Sequence, residues 1–325
     1  MSRQRIPDEV LAAAHARARA REAKDWTEAD QLRAEIEAAG WRVIDRGTDF
    51  ALEPAAPPDV AEGDRVRYGS SASVPSRLDE APIGVATAVL IATDWPDDVD
   101  RAIRGLRTHA ADGLSIVVVA NAPSPEQTAA LEAMQPDDAI EVVWTSERLG
   151  HATAVNMGLR RVAGPIAMLM DPSVEPTGDA VAPLVQALED ATVAVTGGWG
   201  IVSDDLRHFE DAPPGDVDAI EGYLLAFRRD DLTQRGPLDE HFRFYRNLDI
   251  WWSLVLRDEG EGRPPRRAVS VEVPAVRHEH RGWSSLPDDE RDRQSKRNFY
   301  RIIDRFGSRR HILVANEAAA AKGRG

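Results

Sequence analysis

A short apolar segment, predicted to be a buried strand and followed directly by one acidic residue, constrains the fold of this chain more than any other feature. The turn residues Leu149-Gly150 are followed by small and apolar residues at helical spacing from Ala152 to Val162. The unbroken apolar run Ile166–Met170 is typical of a strand covered on both faces, and Asp171 follows it directly. Ligands of open α/β sheets bind beyond the carboxyl ends of the strands, so Asp171 is a candidate site residue; the alternative is a turn or capping acid.

Strands and helices alternate on both sides of this stretch, which predicts α/β units and a mostly parallel sheet with right-handed crossovers. The predicted strands of the first half are Val85–Thr93, Leu114–Ala120, Ile140–Trp144, Ile166–Met170 and Ala191–Gly197, and the helices are Asp97–His109, Glu126–Met134, Ala152–Val162 and Asp179–Asp190. The second half is less regular, with predicted strands in Asp218–Arg228 and Ala268–His280 and predicted helices at Leu248–Asp258 and Asp288–Phe306.

Composition removes several classes of function. The chain has 325 residues, no cysteine and a formal net charge of −15, so thiolate chemistry is absent and a nucleic-acid partner is not expected. The N-terminus lacks the apolar core of a signal peptide, and no apolar run reaches the length of a membrane span. These features predict a cytoplasmic protein. They leave room for a location at the inner face of the cell membrane.

Residues 1–54 form a separate small unit in this interpretation. Glu9–Ala23 predicts a helix, and a second helix should begin with Thr27 as N-cap and Asp30 as its capping-box partner, ending at Gly40. The segments Trp41–Ile44 and Phe50–Leu52 predict a β-hairpin.

The unit resembles the C-terminal end of cysteinyl-tRNA synthetases. The matching residues are Ala20, Arg21, Lys24-Asp25-Trp26, Ala29-Asp30, Leu32-Arg33, Ile36, Gly40, Val43, Asp45, Gly47-Thr48 and Phe50. The match covers about a tenth of the chain and includes no catalytic element of a synthetase. It implies a helical module that contacts RNA or protein, with a packing appendage as the alternative.

Residues 55–82 are rich in proline, serine, glycine and charge and are predicted to be a linker. The main domain is expected over residues 83–310. The remainder, 311–325, is predicted to be a tail.

The main region resembles family 2 glycosyltransferases of the GT-A fold, in particular the rhamnosyltransferase-like branch. The motifs are the first strand end Thr93-Asp94, the second strand end Ala120-Asn121, the segment from Gly150 to Asn156 and Gly158, the D-x-D position Asp171-Pro172-Ser173, the acceptor-side segment Gly222 to Phe242, the helix start Arg246-Asn247-Leu248-Asp249 and the late histidines His278 and His280. Their order over the region predicts the fold: α/β, Rossmann-like, a mostly parallel sheet with flanking helices, preceded by a helical hairpin and a β-hairpin.

The resemblance also implies a set of site residues. Donor contacts are expected from Thr93, Asp94, Asn121, Gly150, Asn156, Asp171, Arg228 and Arg229, and acceptor contacts from Asp239, Glu240 and Trp251. A divalent cation, Mg²⁺ or Mn²⁺, would be held by Asp171, Ser173, His278 and His280, because the two histidines of an extended strand face the same side. Asp249 is the predicted base for the acceptor hydroxyl, with a helix cap as the alternative.

Four residues, at three places in the chain, depart from the family pattern. Ala120 replaces an acid that pairs with the nucleobase, Ser173 replaces the second metal-binding acid, and Arg246-Asn247 replace an acidic pair. The expected function is transfer of a sugar from a nucleotide-diphosphate sugar to a polysaccharide or glycolipid acceptor, with inversion. The expected partners are the nucleotide-diphosphate sugar and a carbohydrate or lipid-linked acceptor. A peripheral association with the membrane is compatible with this expectation. The alternative is a non-catalytic sugar-nucleotide or protein-binding relative.

Overall fold

The computed structural model describes residues 6–47, 49–134 and 137–314. The chain divides into two compact units, Met1–Pro58 and Asp59–Gly325. Each unit is described by itself below.

The first unit packs a helical hairpin on a two-stranded sheet. Its elements are α1 (Asp8–Glu22), α2 (Trp26–Ala38), β1 (Trp41–Arg46) and β2 (Asp49–Pro54), with the two strands antiparallel. Its small core is formed by the buried side chains of Val10, Ala14, Ile36 and Trp41. Arg17 and Arg21 both pair with Asp45, and the hydrogen bond from Arg17 lowers the pKa of that carboxyl.

The second helix of this unit starts earlier than its sequence suggests. Asp25, not Thr27, is the N-cap residue, and its carboxylate accepts a hydrogen bond from the Glu28 backbone amide at 3.1 Å. The expected capping box of Thr27 and Asp30 is therefore wrong. Gly40 closes the helix with φ of +77°, a conformation that glycine adopts without steric cost.

The second unit is built on one large sheet with helices around it. Its strands are β3 (Val60–Glu62), β4 (Arg65–Tyr68), β5 (Ala86–Ala92), β6 (Leu114–Ala120), β7 (Ile140–Thr145), β8 (Ile166–Met170), β9 (Val174–Pro176), β10 (Val193–Gly197), β11 (Gly200–Val202), β12 (Glu210–Ala212), β13 (Gly215–Val217), β14 (Ala219–Ile220), β15 (Leu224–Arg228), β16 (Arg267–Ser270) and β17 (Ala275–Arg277). Its helices are α3 (Pro96–His109), α4 (Pro125–Met134), α5 (His151–Leu159), α6 (Ala182–Ala187), α7 (Arg229–Arg235), α8 (Leu248–Arg257), α9 (Arg281–Ser284) and α10 (Asp288–Phe306), with 3₁₀ turns at Ser71–Ser73 and Arg310–Ile312.

Within the described ranges the large sheet has the order β13-β16-β10-β15-β8-β5-β6-β7-β4-β3. The block from β8 to β4 is parallel, and β15 joins β8 in antiparallel register. The mixed α/β fold with a mostly parallel sheet is thus confirmed. β6, β8 and α10 have the bounds that the sequence predicts.

Both faces of the sheet are covered, which explains the unbroken apolar strands. One core cluster joins α5, α8 and the end of α10 to one face, and the other joins α3 and α6 to the opposite face. Alternate residues of β5 belong to different clusters, with Val89 on one side and Leu90 on the other. A run with no polar alternation is therefore what this position in the sheet requires.

The segment expected to be a linker contributes structure to the sheet. β3 and β4 lie in residues 55–82, and β4 pairs in parallel with β7 through Arg67 and Tyr68. The proline and serine content of the segment does not predict these strands, because strands of three and four residues leave little apolar signal. The predicted tail is also partly ordered, since Ile312 and Leu313 are buried in the core; residues 315–325 lie outside the described part.

The predicted strand Ala268–His280 is wrong as a single element. It splits into β16, which belongs to the large sheet, and β17, which pairs with β9. Pro274 lies between them and has no amide hydrogen to donate to a ladder. Among the helices of the described residues, none is both long and apolar enough to cross a membrane.

Candidate functional site

Asp171 lies at the carboxyl end of β8, in the place that the sequence predicts. Its Oδ1 atom accepts hydrogen bonds from the backbone amide of Ser173 at 2.8 Å and from the Ser173 hydroxyl at 2.5 Å. Its own amide donates to the carbonyl of Tyr223 at 2.9 Å. The turn therefore fixes one carboxylate oxygen and leaves Oδ2 for a partner from elsewhere in the chain.

That partner is His280. The antiparallel pairing of β9 with β17 carries the late part of the chain back past Asp171, and the amide of His278 donates to the carbonyl of Ser173. His280 Nε2 lies 3.0 Å from Asp171 Oδ2. His278 Nε2 instead lies 2.6 Å from a carboxylate oxygen of Glu175.

The expectation that both histidines face one site is wrong. β17 ends at Arg277, so the alternation of an extended strand does not continue through residues 278 to 280.

When His280 is protonated it forms an ion pair with Asp171; in the neutral imidazole Nε2 carries the proton, because Nδ1 accepts the Trp283 amide. Burial acts to lower the pKa of His280, but the hydrogen bond and the negative charge of Asp171 outweigh it and raise that pKa. Burial likewise acts to raise the pKa of Asp171, and the contacts with His280 and Ser173 lower it overall. His151, at the start of α5, differs: desolvation lowers its pKa to about 4, so it is neutral at pH 7.

We expect nuclear magnetic resonance titration of the metal-free chain to separate these two histidines. The His280 imidazole should protonate with a pKa above its ordinary value of 6.5, and His151 with a pKa of about 4. In Asp171→Asn the His280 pKa should fall, because burial then acts without the compensating carboxylate. A His280→Asn spectrum gives the assignment. Titration of His280 below 6.5 in the unmodified chain would contradict the ion pair.

Aromatic rings surround the pair. Tyr245 stacks on His280 with ring centroids 4.5 Å apart and an interplanar angle of 16°, and Tyr223 meets His280 edge-on at 6.4 Å. The guanidinium of Arg246 lies 5.4 Å from the ring centroid of Trp283. The positive charge of Arg246 acts to lower the pKa values of Asp249, Tyr245 and His280, so it faces the same site.

From the sequence, Arg246 is recognised only as a departure from a family motif, and Tyr223 and Tyr245 are not predicted as site residues. The signal that locates two of them is the run Phe242–Arg246, which lies directly before the helix start that carries Asp249.

Asp249 lies in the first turn of helix α8. It contacts the Gly222-Tyr223 turn, whose Tyr223 carbonyl also accepts the Asp171 amide. Its Oδ2 atom accepts a hydrogen bond from the Gly222 amide at 2.8 Å, and its Oδ1 atom accepts one from the Ile250 amide at 2.9 Å. A Cβ at residue 222 would lie 3.3 Å from the Asp249 Cβ, so glycine permits this approach. Desolvation raises the pKa of Asp249 above its ordinary value. The two acids thus bond to neighbouring residues, Gly222 and Tyr223.

Three of the predicted donor residues organise the loops at the carboxyl ends of β5 and β6. Asn121 exchanges two hydrogen bonds with the backbone of Leu149, at 2.8 and 3.1 Å. Asp94 pairs with Arg148 at 3.1 Å, and the carbonyl of Thr93 accepts the Ser124 amide. These residues line the end of the sheet where the family resemblance expects a donor. Their hydrogen bonds in the structure go to the protein itself.

Gly150 and Asn156 hold the loop that precedes α8. A Cβ at residue 150 would lie 3.2 Å from Arg243, so glycine lets that loop pack on the start of α5. The buried Asn156 side chain bonds to both backbone groups of Leu238 and to a carboxylate oxygen of Glu240. Asn156, which is only 2% exposed, therefore positions the loop.

Two predicted acceptor acids also bond to protein groups. Asp239 pairs with His241 at 2.7 Å and with Arg301 at 3.6 Å, and Glu240 accepts the Ser71 hydroxyl at 2.5 Å. Trp251 is 6% exposed and packs against Phe242 and Trp252. An indole buried in the core cannot serve as a sugar platform, so the acceptor role expected for Trp251 is wrong.

The expected diphosphate contacts Arg228 and Arg229 are also wrong. In the antiparallel register of β15 with β8, Arg228 lies opposite Ile166, at the far end of the strand from Asp171. The Arg228 guanidinium donates to the carbonyls of Val193, Leu188 and Asp190. The Arg229 guanidinium, which is buried, donates to the carbonyls of Ala163, Arg77 and Glu80. Both guanidinium groups stabilise loops at the end of the strands opposite to Asp171.

The side-chain atoms around Asp171 that could ligate a metal fit a divalent cation only in part. Cis ligands of an octahedral ion with bonds of about 2.1 Å lie about 3.0 Å apart, the separation of Asp171 Oδ2 and His280 Nε2. Ser173 offers a hydroxyl next to them. No group of three or more histidine, cysteine, aspartate or glutamate side chains that could hold a metal occurs among the described residues. An ion here would need further oxygen ligands from a substrate.

Two segments of the chain match known protein families. Residues 88–246 match the family model described as glycosyl transferase family 2, and residues 3–49 match the cysteinyl-tRNA ligase anticodon binding domain. A cysteine–tRNA ligase from Opitutus terrae is 52% identical over 50 residues, which is 15% of this chain and 11% of the ligase. The chain thus spans about a tenth of that relative.

Solved structures share the fold of the second unit. A mannosyltransferase from Pyrobaculum calidifontis, in complex with GDP-mannose and Mn²⁺, is 20% identical with a TM-score of 0.54; the match covers 74% of this chain and 71% of that one. GalNAc-T7 with UDP, GalNAc and Mn²⁺ is 15% identical with a TM-score of 0.55, over 68% of this chain and 48% of that one. Residues 88–246 therefore match glycosyl transferase family 2, the second unit shares the fold of GT-A glycosyltransferases, and residues 3–49 resemble the anticodon binding domain of cysteinyl-tRNA ligases.

Proposed function

We propose that the protein transfers a sugar from a nucleotide-diphosphate sugar to a carbohydrate or lipid-linked acceptor, with inversion at the anomeric carbon. One observation carries this proposal: the single turn at Gly222-Tyr223 bonds to both Asp171 and Asp249. A strand-end acid suited to the donor and a desolvated acid suited to a proton transfer are thereby held on two sides of one turn.

In this proposal the donor diphosphate lies near Asp171, His280 and Arg246. Asp171, Ser173 and His280 would hold a divalent cation, which when bound neutralises charge on the diphosphate and favours its departure. The positive charge of Arg246 acts in the same direction at the leaving group, whereas His280 is neutral when it ligates the ion. Tyr245, stacked on His280, keeps that imidazole in place and shields it from water.

Asp249 would act on the acceptor. Its carboxylate takes the proton of the acceptor hydroxyl as that oxygen forms a bond to the anomeric carbon and the bond to the diphosphate breaks. A single displacement of this kind inverts the anomeric centre. Burial raises the pKa of Asp249, which makes the carboxylate a stronger base than an exposed aspartate.

A screen of nucleotide sugars by thermal unfolding tests the proposal. The full chain would be heated with UDP-, GDP- and dTDP-sugars, with and without MnCl₂, and donor hydrolysis would be measured in parallel. A ligand at about 100 times its Kd stabilises the folded state by about 2.7 kcal/mol, so one donor class should raise Tm clearly. Absence of any shift and of any hydrolysis across the panel would reject the proposal.

The second candidate is a non-catalytic relative that binds a sugar nucleotide or a protein partner, with the N-terminal unit as the interaction module. Ser173 favours it, because a hydroxyl bonded to Asp171 replaces a second carboxylate at the donor end. A Tm shift with a nucleotide sugar, without hydrolysis and without transfer to any acceptor, would support this candidate instead.

A further inference from the structure

A groove of about 530 Å³ opens beside the site, and no function assigned above uses it. Its walls include Trp199, Asp211, Glu221, Glu272 and Arg277. The volume is within the range of about 300–1,000 Å³ that is typical of small-molecule sites. The indole of Trp199 is partly exposed, in contrast to the buried Trp251 and Trp252.

Close backbone packing and one ion pair shape the groove. A Cβ at Gly198 would lie 2.4 Å from a Val273 methyl group, so the chain before Trp199 needs glycine there. The Glu221 amide donates to the carbonyl of Trp199 at 2.9 Å, and the Glu221 carboxylate lies 3.0 Å from an Arg277 guanidinium nitrogen. The guanidinium carbon of Arg277 is 5.0 Å from the Trp199 ring centroid. These contacts form the groove before any ligand is present.

The groove adjoins the candidate active site through two of its lining residues, Glu221 and Trp199. Glu221 is the residue before Gly222, whose amide holds Asp249, and the negative charge of Asp249 acts on Glu221 to raise its pKa. On the other side, Tyr223 meets Trp199 edge-on at 5.9 Å and His280 at 6.4 Å. One wall of rings therefore runs from the groove to the Asp171–His280 pair. A ligand in the groove would direct its end toward Asp249.

We propose that this groove binds the acceptor as an uncharged saccharide, with its reacting end at Asp249. An exposed indole offers an apolar face to a sugar ring, while carboxylates accept and a guanidinium donates hydrogen bonds to hydroxyl groups. Asp211, Glu221 and Glu272 against Arg277 alone give the walls an excess of negative charge. That excess repels uronic acids and phosphorylated sugars. The inference rests on the proposed transferase function, because it assigns the acceptor of that reaction.

Binding of the full chain to an array of neutral and uronic-acid oligosaccharides tests this inference without a donor. We expect the unmodified protein to bind neutral glycans and Trp199→Ala to bind them about tenfold more weakly. Glu221→Gln should also weaken binding, and it keeps the side-chain shape if the tryptophan change harms folding. Trp26→Ala is the matched control, since Trp26 is 58% exposed and lies in the first unit; it should bind as the unmodified chain does.

Three results would overturn the inference: no neutral glycan bound, preference for uronic-acid glycans, or equal binding by Trp199→Ala and the unmodified chain. Thermal unfolding of each variant with the donor identified in the nucleotide screen completes the design. A folded Trp199→Ala that keeps donor binding and loses glycan binding supports the acceptor groove. Failure of the transferase function has a different signature, because no donor would then bind or hydrolyse whatever the array shows.

Discussion

Replacement of Asp249 by asparagine should lower kcat for sugar transfer by about 10²–10⁴-fold and leave donor affinity unchanged. The single oxygen of asparagine can still accept the Gly222 amide, so the turn that also holds Asp171 stays in place, and only the bond from the Ile250 amide is lost. The amide cannot take a proton from an acceptor hydroxyl. Initial rates at saturating donor, with donor Kd from calorimetry, measure both quantities.

The pH dependence gives the same prediction a second readout. Transfer should fall as pH decreases through the pKa of Asp249, which burial raises above 3.8, because only the carboxylate can act as a base. Asp249→Asn should lose this acidic limb. Asp216→Asn is a matched control, since Asp216 pairs with Arg267 on the exposed edge strand β13 and should react normally. An unchanged kcat in Asp249→Asn would remove the base assignment.

Replacement of Asp171 by asparagine should weaken donor binding in the presence of Mn²⁺ by about 10–100-fold, the loss expected for a hydrogen bond or ligand that involves a charged group. The substitution removes a carboxylate and keeps the size of the side chain, so the bonds from Ser173 can remain. Calorimetric titration with the donor found in the screen measures the change directly.

His278→Gln provides the contrast for that experiment. His278 follows the same short strand as His280, but its ring contacts Glu175, so the substitution should leave the donor Kd unchanged. If Asp171→Asn bound the donor as tightly as the unmodified chain, the donor site would have to lie elsewhere. A loss in His278→Gln equal to that in Asp171→Asn would show a structural effect of the β9–β17 ribbon.

The local elements follow from the sequence where the pattern is strong. The apolar run of β8 and the 19-residue amphipathic α10 have the expected bounds, because a doubly covered strand leaves an unbroken apolar run and a one-sided helix leaves a clear helical periodicity. Short strands such as β3 and β4 leave no such signal, and neither does a strand interrupted by Pro274. These elements form because a neighbouring strand supplies the hydrogen bonds.

The candidate site shows the same division. Asp171 could be singled out from its place at a strand end, and Asp249 from the family resemblance. Arg228 and Arg229 could not be excluded, because the antiparallel register of β15 decides which end of the sheet they reach. Arg246, Tyr223 and Tyr245 enter the site only through the packing of two turns around His280.

By itself, then, the sequence determined the α/β class, the separate N-terminal unit and the acid at the end of β8, since each depends on neighbouring residues along the chain. Only the tertiary structure decided that His280, not His278, meets Asp171, and that one turn at Gly222-Tyr223 bonds to both acids. The reason is physical: charge pairs and shared turns depend on strand register and on where distant segments cross. The local periodicity of the sequence predicts neither the strand register nor the crossing of distant segments.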